Sequence, residues 1–133
     1  MKRMSLALFL CFSPFVFSAS SSYVCTVAGV YSLSTDGVLA DSGKSPYLDA
    51  KFNVDRASGV VLGDVGNSTY PIKQVLDPGG PEQSYKVIWM SPSVKGTETG
   101  RNVGFLEVNE YSEQRSKPFV LNDGMFIMAG TCE

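Results

Sequence analysis

Histidine is absent from all 133 residues. With it go the commonest general base, the usual activator of a serine or cysteine nucleophile, and the commonest metal ligand. Ser-His-Asp and Cys-His catalysis are therefore excluded. Cysteine is scarce, at three residues, and Cys25 and Cys132 are better spent on a disulfide, so neither thiolate catalysis nor a zinc site is expected. The thirteen glycines are scattered through turn-like stretches with no Walker or Rossmann spacing, so no nucleotide cofactor is expected. Asp49, Asp55 and Asp64 lack the alternating ligands and closing glutamate of a calcium loop. No metal and no cofactor are predicted.

What is present begins with an export pattern. Lys2 and Arg3 form a basic start, and Leu6 to Phe17 is apolar except for Ser13 and Pro14, ending in Ser18, Ala19 and Ser20. This is the tripartite order of a cleavable signal peptide. The run is shorter than the roughly 20 apolar residues that cross a bilayer, and Pro14 interrupts it. Cleavage after Ser20 puts Ser18 and Ser20 at the small-residue positions, which divides the chain into a signal peptide, 1–20, and a single β domain, 21–133. Cys11 lies inside the apolar run behind Leu10, where lipoprotein processing wants a small residue, so no membrane anchor is expected. The expected location is the periplasm or the cell exterior.

Removal of the leader leaves Cys25 and Cys132. An even count in an exported chain reads as a disulfide; two buried free thiols or an intermolecular bridge are the alternatives. Losing Lys2 and Arg3 leaves nine basic against thirteen acidic residues, a net charge of −4. Nucleic acid and anionic membrane, which call for clustered Lys and Arg, are not expected partners.

Apolar residues recur at period two in short runs separated by Gly, Pro, Asn, Asp and Ser clusters, the pattern of strands. The first run, 23–33, is expected to put Tyr23, Cys25, Val27, Tyr31 and Leu33 on one face. Asp36-Gly37 marks a hairpin with Val38 to Ala40 returning. Phe52 and Val54 lead into Asp55-Arg56-Ala57-Ser58-Gly59, and Val60 to Leu62 lead out. Further runs are expected over 70–76, 85–90, 103–111, 119–122 and 125–131, with Asp77 to Pro81 as a connection. The fold class is all-β: a small antiparallel barrel or sandwich of seven to eight strands. Its termini are joined by the disulfide, and that pairing of first and last strands favours a closed or nearly closed barrel.

Three features are candidates for function. Trp89, the only tryptophan, is read as a core residue. The connection from Ser91 to Asn102 is long for a β protein and is the candidate binding loop, with Ser91, Ser93, Lys95 and Arg101 as its polar residues. Glu107, Glu110 and Glu113 are the densest acidic group. Two such carboxylates across a cleft would serve a glycan hydrolase, but a solvated strand face is the simpler reading. Asn67-Ser68-Thr69 has the form of a glycosylation acceptor and is read as a turn.

Phe52-x-Val54-Asp55-Arg56-x-Ser58-Gly59, Val75-Leu76-Asp77-Pro78-Gly79 with Tyr85-Lys86-Val87, and Lys117-Pro118-Phe119 before Gly130-x-Cys132 resemble a set of small exported bacterial proteins of unassigned function. The resemblance implies a shared fold. A looser one rests on Tyr23-Val24-Cys25, on Cys132, and on Trp89 followed by Lys95-Gly96. In these the chain is similar to the periplasmic inhibitors of C-type lysozyme, which are small β-barrels. Its Ser42-Gly43-Lys44-Ser45-Pro46-Tyr47 has one residue more than their Ser-Gly-x-x-Tyr motif and lies far upstream of it. The expected function is thus a non-catalytic exported β domain that binds a protein or glycan partner. Inhibition of a lytic enzyme through 91–102 and carboxylate-dependent glycan hydrolysis are the alternatives.

Overall fold

The structure, a computed structural model, describes residues 21–43, 45–65, 70–91 and 103–133. Nine antiparallel strands form one sheet: β1 (Ser22–Leu33), β2 (Leu39–Asp41), β3 (Lys51–Asp55), β4 (Val61–Gly63), β5 (Ile72–Gly80), β6 (Gln83–Met90), β7 (Val103–Val108), β8 (Lys117–Asn122) and β9 (Ile127–Cys132). Their order is β4-β3-β1-β9-β8-β7-β6-β5, with β2 pairing the far end of β1. Alternation drives the assembly. In β7, Gly104, Leu106 and Val108 face inward while Val103 and Phe105 face out.

The sheet curls into a half-barrel around Phe52, Leu106, Leu121, Met128 and the valines between them, all buried. Phe52 and Phe119 meet edge to face at 5.3 Å between ring centres. The disulfide is formed, and Cys25 lies directly opposite Cys132, both fully buried. It does not close the barrel, which corrects that expectation. β1 and β9 are neighbours in the middle of the sheet, and among the described residues no ladder joins the outer strands β4 and β5. The chain leaves β1 toward one edge and starts again at the other, so joining the first and last strands ties the centre. Across the open side, the turn between β3 and β4 reaches over to β6. The Trp89 indole N–H donates to the Gly59 carbonyl at 2.9 Å. Trp89 is thereby a core residue, 2% exposed. Position 59 must be glycine, because it has φ 70° and a Cβ there would lie 2.4 Å from Val87 Cγ2.

Two local expectations are overturned by β-bulges. Between Val27 and Gly29 the β1–β9 register shifts by one residue. Val30 takes the next inward place, and Tyr31 and Leu33 turn to the outer face, away from Tyr23, Cys25 and Val27. Asp77 to Gly80 is strand, with a second bulge between Val75 and Asp77 and Pro78 opposite Tyr85. Proline is tolerated there because β5 ends the sheet order, where a missing N–H removes no further ladder bond.

Candidate functional site

The greatest concentration of part-buried charge lies at the end of the half-barrel where β1 begins. The turn after β3 is set by Asp55, whose carboxylate accepts from the Ser58 N–H at 2.8 Å and the Ser58 hydroxyl at 2.5 Å. These two bonds, the side-chain one first, hold the Asp55 carboxyl below its usual range. The turn aims Arg56 back over the interior. Its guanidinium lies 2.7 Å from Glu110 Oε1, donates to the Pro78 carbonyl at 3.1 Å and sits 4.9 Å from the centre of the Tyr23 ring. The Tyr23 hydroxyl donates to the same Glu110 oxygen. Burial first, and the Glu110 carboxylate second, push the Tyr23 hydroxyl far above its ordinary pKa.

Tyr85 packs edge-on to Tyr23, with ring centres 5.4 Å apart. Its hydroxyl is buried with no hydrogen-bond partner among the described residues. Burial, with the Asp55 charge behind it, pushes this phenol up to about 12. The cluster joins the β3–β4 turn, the edge of β5 and the β7–β8 connection. Glu110 is held by a guanidinium and a phenol, which ties the β3–β4 turn and β1 to the β7–β8 connection.

The other candidate carboxylates do not join it. Glu107 belongs to β7 and lies on the outer face, with its carboxylate 3.9 Å from Lys86 Nζ. Glu113 is exposed in the β7–β8 connection, because β7 stops at Val108. The three acidic residues therefore face no common cleft. Of the candidate loop, only Ser91 is described, half-buried at the end of β6. Ser93, Lys95 and Arg101 lie outside the described residues, as do Asn67-Ser68-Thr69 and residues 1–20, Cys11 among them. Among the described residues no group of three His, Cys, Asp or Glu is placed to hold a metal, and no helix is long and apolar enough to cross a membrane.

An apolar outer face was not anticipated from the sequence. Ile72, Met90 and Val103 are register partners across β5, β6 and β7, and Ile88 and Phe105 are partners one step along. All five point away from the core. Ile72 is 46% exposed, Val103 49% and Phe105 37%. The next outward row is charged: Lys86 lies between Asp77 and Glu107, 3.9 Å from each carboxylate. The signal in the sequence is Val87-Ile88-Trp89-Met90, apolar at four successive positions where a half-exposed strand would alternate. Comparison with known protein families, with curated proteins and with solved structures finds no match for this chain.

Proposed function

We propose that the chain is an exported, non-catalytic β domain that docks a protein partner on the outer face of β5, β6 and β7. The observation that carries this reading is the outward apolar cluster of Ile72, Ile88, Met90, Val103 and Phe105, in which Ile72, Val103 and Phe105 are exposed and Ile88 and Met90 half-buried. Single exposed apolar residues are ordinary on a surface, whereas a contiguous group rimmed by charge marks an interaction site. The partner has an apolar centre and a rim that answers the Asp77–Lys86–Glu107 row. Export is supported by the basic and apolar leader and by the buried disulfide, which persists in an oxidising compartment. A hydrolase gains no support from carboxylates that face different ways.

The test is capture of periplasmic and envelope proteins on the immobilised disulfide-bonded protein, beside its Phe105→Glu variant. A partner retained by the parent and lost by the variant supports the reading. No specific partner at micromolar concentration, or equal capture by both, overturns it. Inhibition of a lytic enzyme is the second reading, favoured by one observation: residues 91–102 leave from Met90 and return at Val103, two members of the apolar cluster. An unchanged rate of cell-wall clearing by lysozyme in the presence of excess protein removes it.

A further inference from the structure

On the flank of β1 that faces away from β9, β3 pairs as far as Thr26 and β2 pairs from Tyr31. Between these, at the bulge, Ala28 and Gly29 have no strand partner on that flank among the described residues. The chain instead arches away, pinned at one end by the Ser42 N–H donating to the Val30 carbonyl at 2.8 Å. At the other end the Asp49 N–H donates to the Val27 carbonyl at 3.0 Å. Arch and strand enclose a cavity of about 200 Å³, lined by Ala28, Gly29, Tyr31, Asp41, Ser45 and Leu48 among others. Drug-sized ligands occupy roughly 300–1,000 Å³, so this cavity suits one small ring.

Its lining combines an aromatic plate with hydrogen-bonding groups of both kinds. The hydroxyl end of the Tyr31 ring lies beside Gly29, where a Cβ would come within 2.9 Å of the phenol oxygen and 3.0 Å of Cε2. Tyr31 lines the cavity and is 36% exposed, so part of its ring is open for contact. The Asp41 carboxylate accepts from the Gly43 N–H through Oδ1 at 2.9 Å, and among the described residues no hydrogen bond occupies Oδ2. Ser45 Oγ accepts from the Tyr47 N–H at 3.3 Å and keeps its proton to donate. Asp41 disfavours an anion, and the polar walls disfavour a hydrocarbon.

We propose that this cavity binds a single saccharide unit of a glycan, its C–H face against Tyr31, one hydroxyl donating to Asp41 and another accepting from Ser45. The proposal rests on the reading of the chain as a binding domain and uses a site separate from the β5–β7 face. The test is a two-dimensional amide NMR titration of the disulfide-bonded protein with N-acetylglucosamine, glucose and galactose. The expected result with at least one sugar is a saturable change at 28–31, 41–43 and 45–48, with a millimolar dissociation constant. The Tyr31→Ala variant is expected to abolish saturation, Asp41→Asn to weaken binding about tenfold, and Tyr31→Phe to keep most of it.

No saturable change in those amides with any of the three sugars overturns the proposal, as does undiminished binding by Tyr31→Ala. If Tyr31→Ala does not fold, the exposed Asp41→Asn variant decides: undiminished binding again overturns it. A protein partner lost in Phe105→Glu, with no sugar response, removes the saccharide site and leaves the docking face standing.

Discussion

The Arg56 guanidinium meets the Glu110 carboxylate at 2.7 Å, although one belongs to the β3–β4 turn and the other to the β7–β8 connection. Both side chains are largely buried, 20% and 13% exposed. The pair therefore holds the mouth of the half-barrel together where no backbone ladder does. Arg56→Ala leaves Glu110 poorly compensated and is expected to lower unfolding free energy by about 1–3 kcal/mol. Urea denaturation reads it. A change of less than about 0.5 kcal/mol would put Arg56 among ordinary surface residues.

Tyr85 gives a pH dependence. Its phenol is raised from 10.0 to about 12 by burial, so the folded state keeps its proton where the unfolded state gives it up. The stability from the neutral folded form is complete below pH 10 and is lost as pH rises toward 12. Tyr23, raised in the same direction, steepens the loss. Tyr85→Phe removes a buried hydroxyl that has no hydrogen-bond partner among the described residues. It is expected to match or exceed the parent by about 1 kcal/mol at neutral pH and to flatten the alkaline decline. Thermal melts from pH 8 to pH 11 test both; a large loss at neutral pH counts against the unpartnered hydroxyl.

Two glycines separate backbone strain from steric conflict. Gly37 has φ 82° with nothing near its absent side chain, whereas Gly59 combines φ 70° with Val87 at 2.4 Å. Gly37→Ala is expected to cost about 1 kcal/mol and Gly59→Ala about 3 kcal/mol, since the second also displaces a core valine. Equal melting temperatures for the two variants would show that the Trp89–Gly59 closure yields easily.

The disulfide encloses a sequence separation of 107 residues. In the chain-entropy account, a loop of that length contributes about 4–5 kcal/mol by restricting the unfolded chain. Replacing Cys25 and Cys132 together by alanine is expected to lower stability by a similar amount. The intact protein should weigh two protons less under non-reducing conditions than after reduction, and equal masses would refute the bond.

Most strands were legible because their inner faces alternate and their turns carry Asp36-Gly37 or Ser58-Gly59. The cysteine pair was legible once Cys11 was assigned to the leader. What escaped in β1 had one cause: a single inserted residue reverses every side chain beyond it, and the sequence does not mark where a bulge falls. Gly29 was the faint sign, as a residue without a side chain in the middle of an apolar strand. Hence Tyr31 was placed inward, although it faces out beside the cavity. Glu107, Glu110 and Glu113 were grouped by closeness along the chain, and the end of β7 at Val108 sends them apart. Arg56 drew attention only as part of a turn, since its partner lies beyond any local pattern.

The central position of β9 bears on how the chain reaches its fold. β1 with its β2 and β3 partners on one side, and β5 to β8 on the other, share no ladder until β9 enters between them. Assembly must then wait for the last strand to be delivered, and the main junction of the sheet is among its most distant contacts. Such an order folds slowly. The part of the chain made first cannot lock into its final form before the rest has followed.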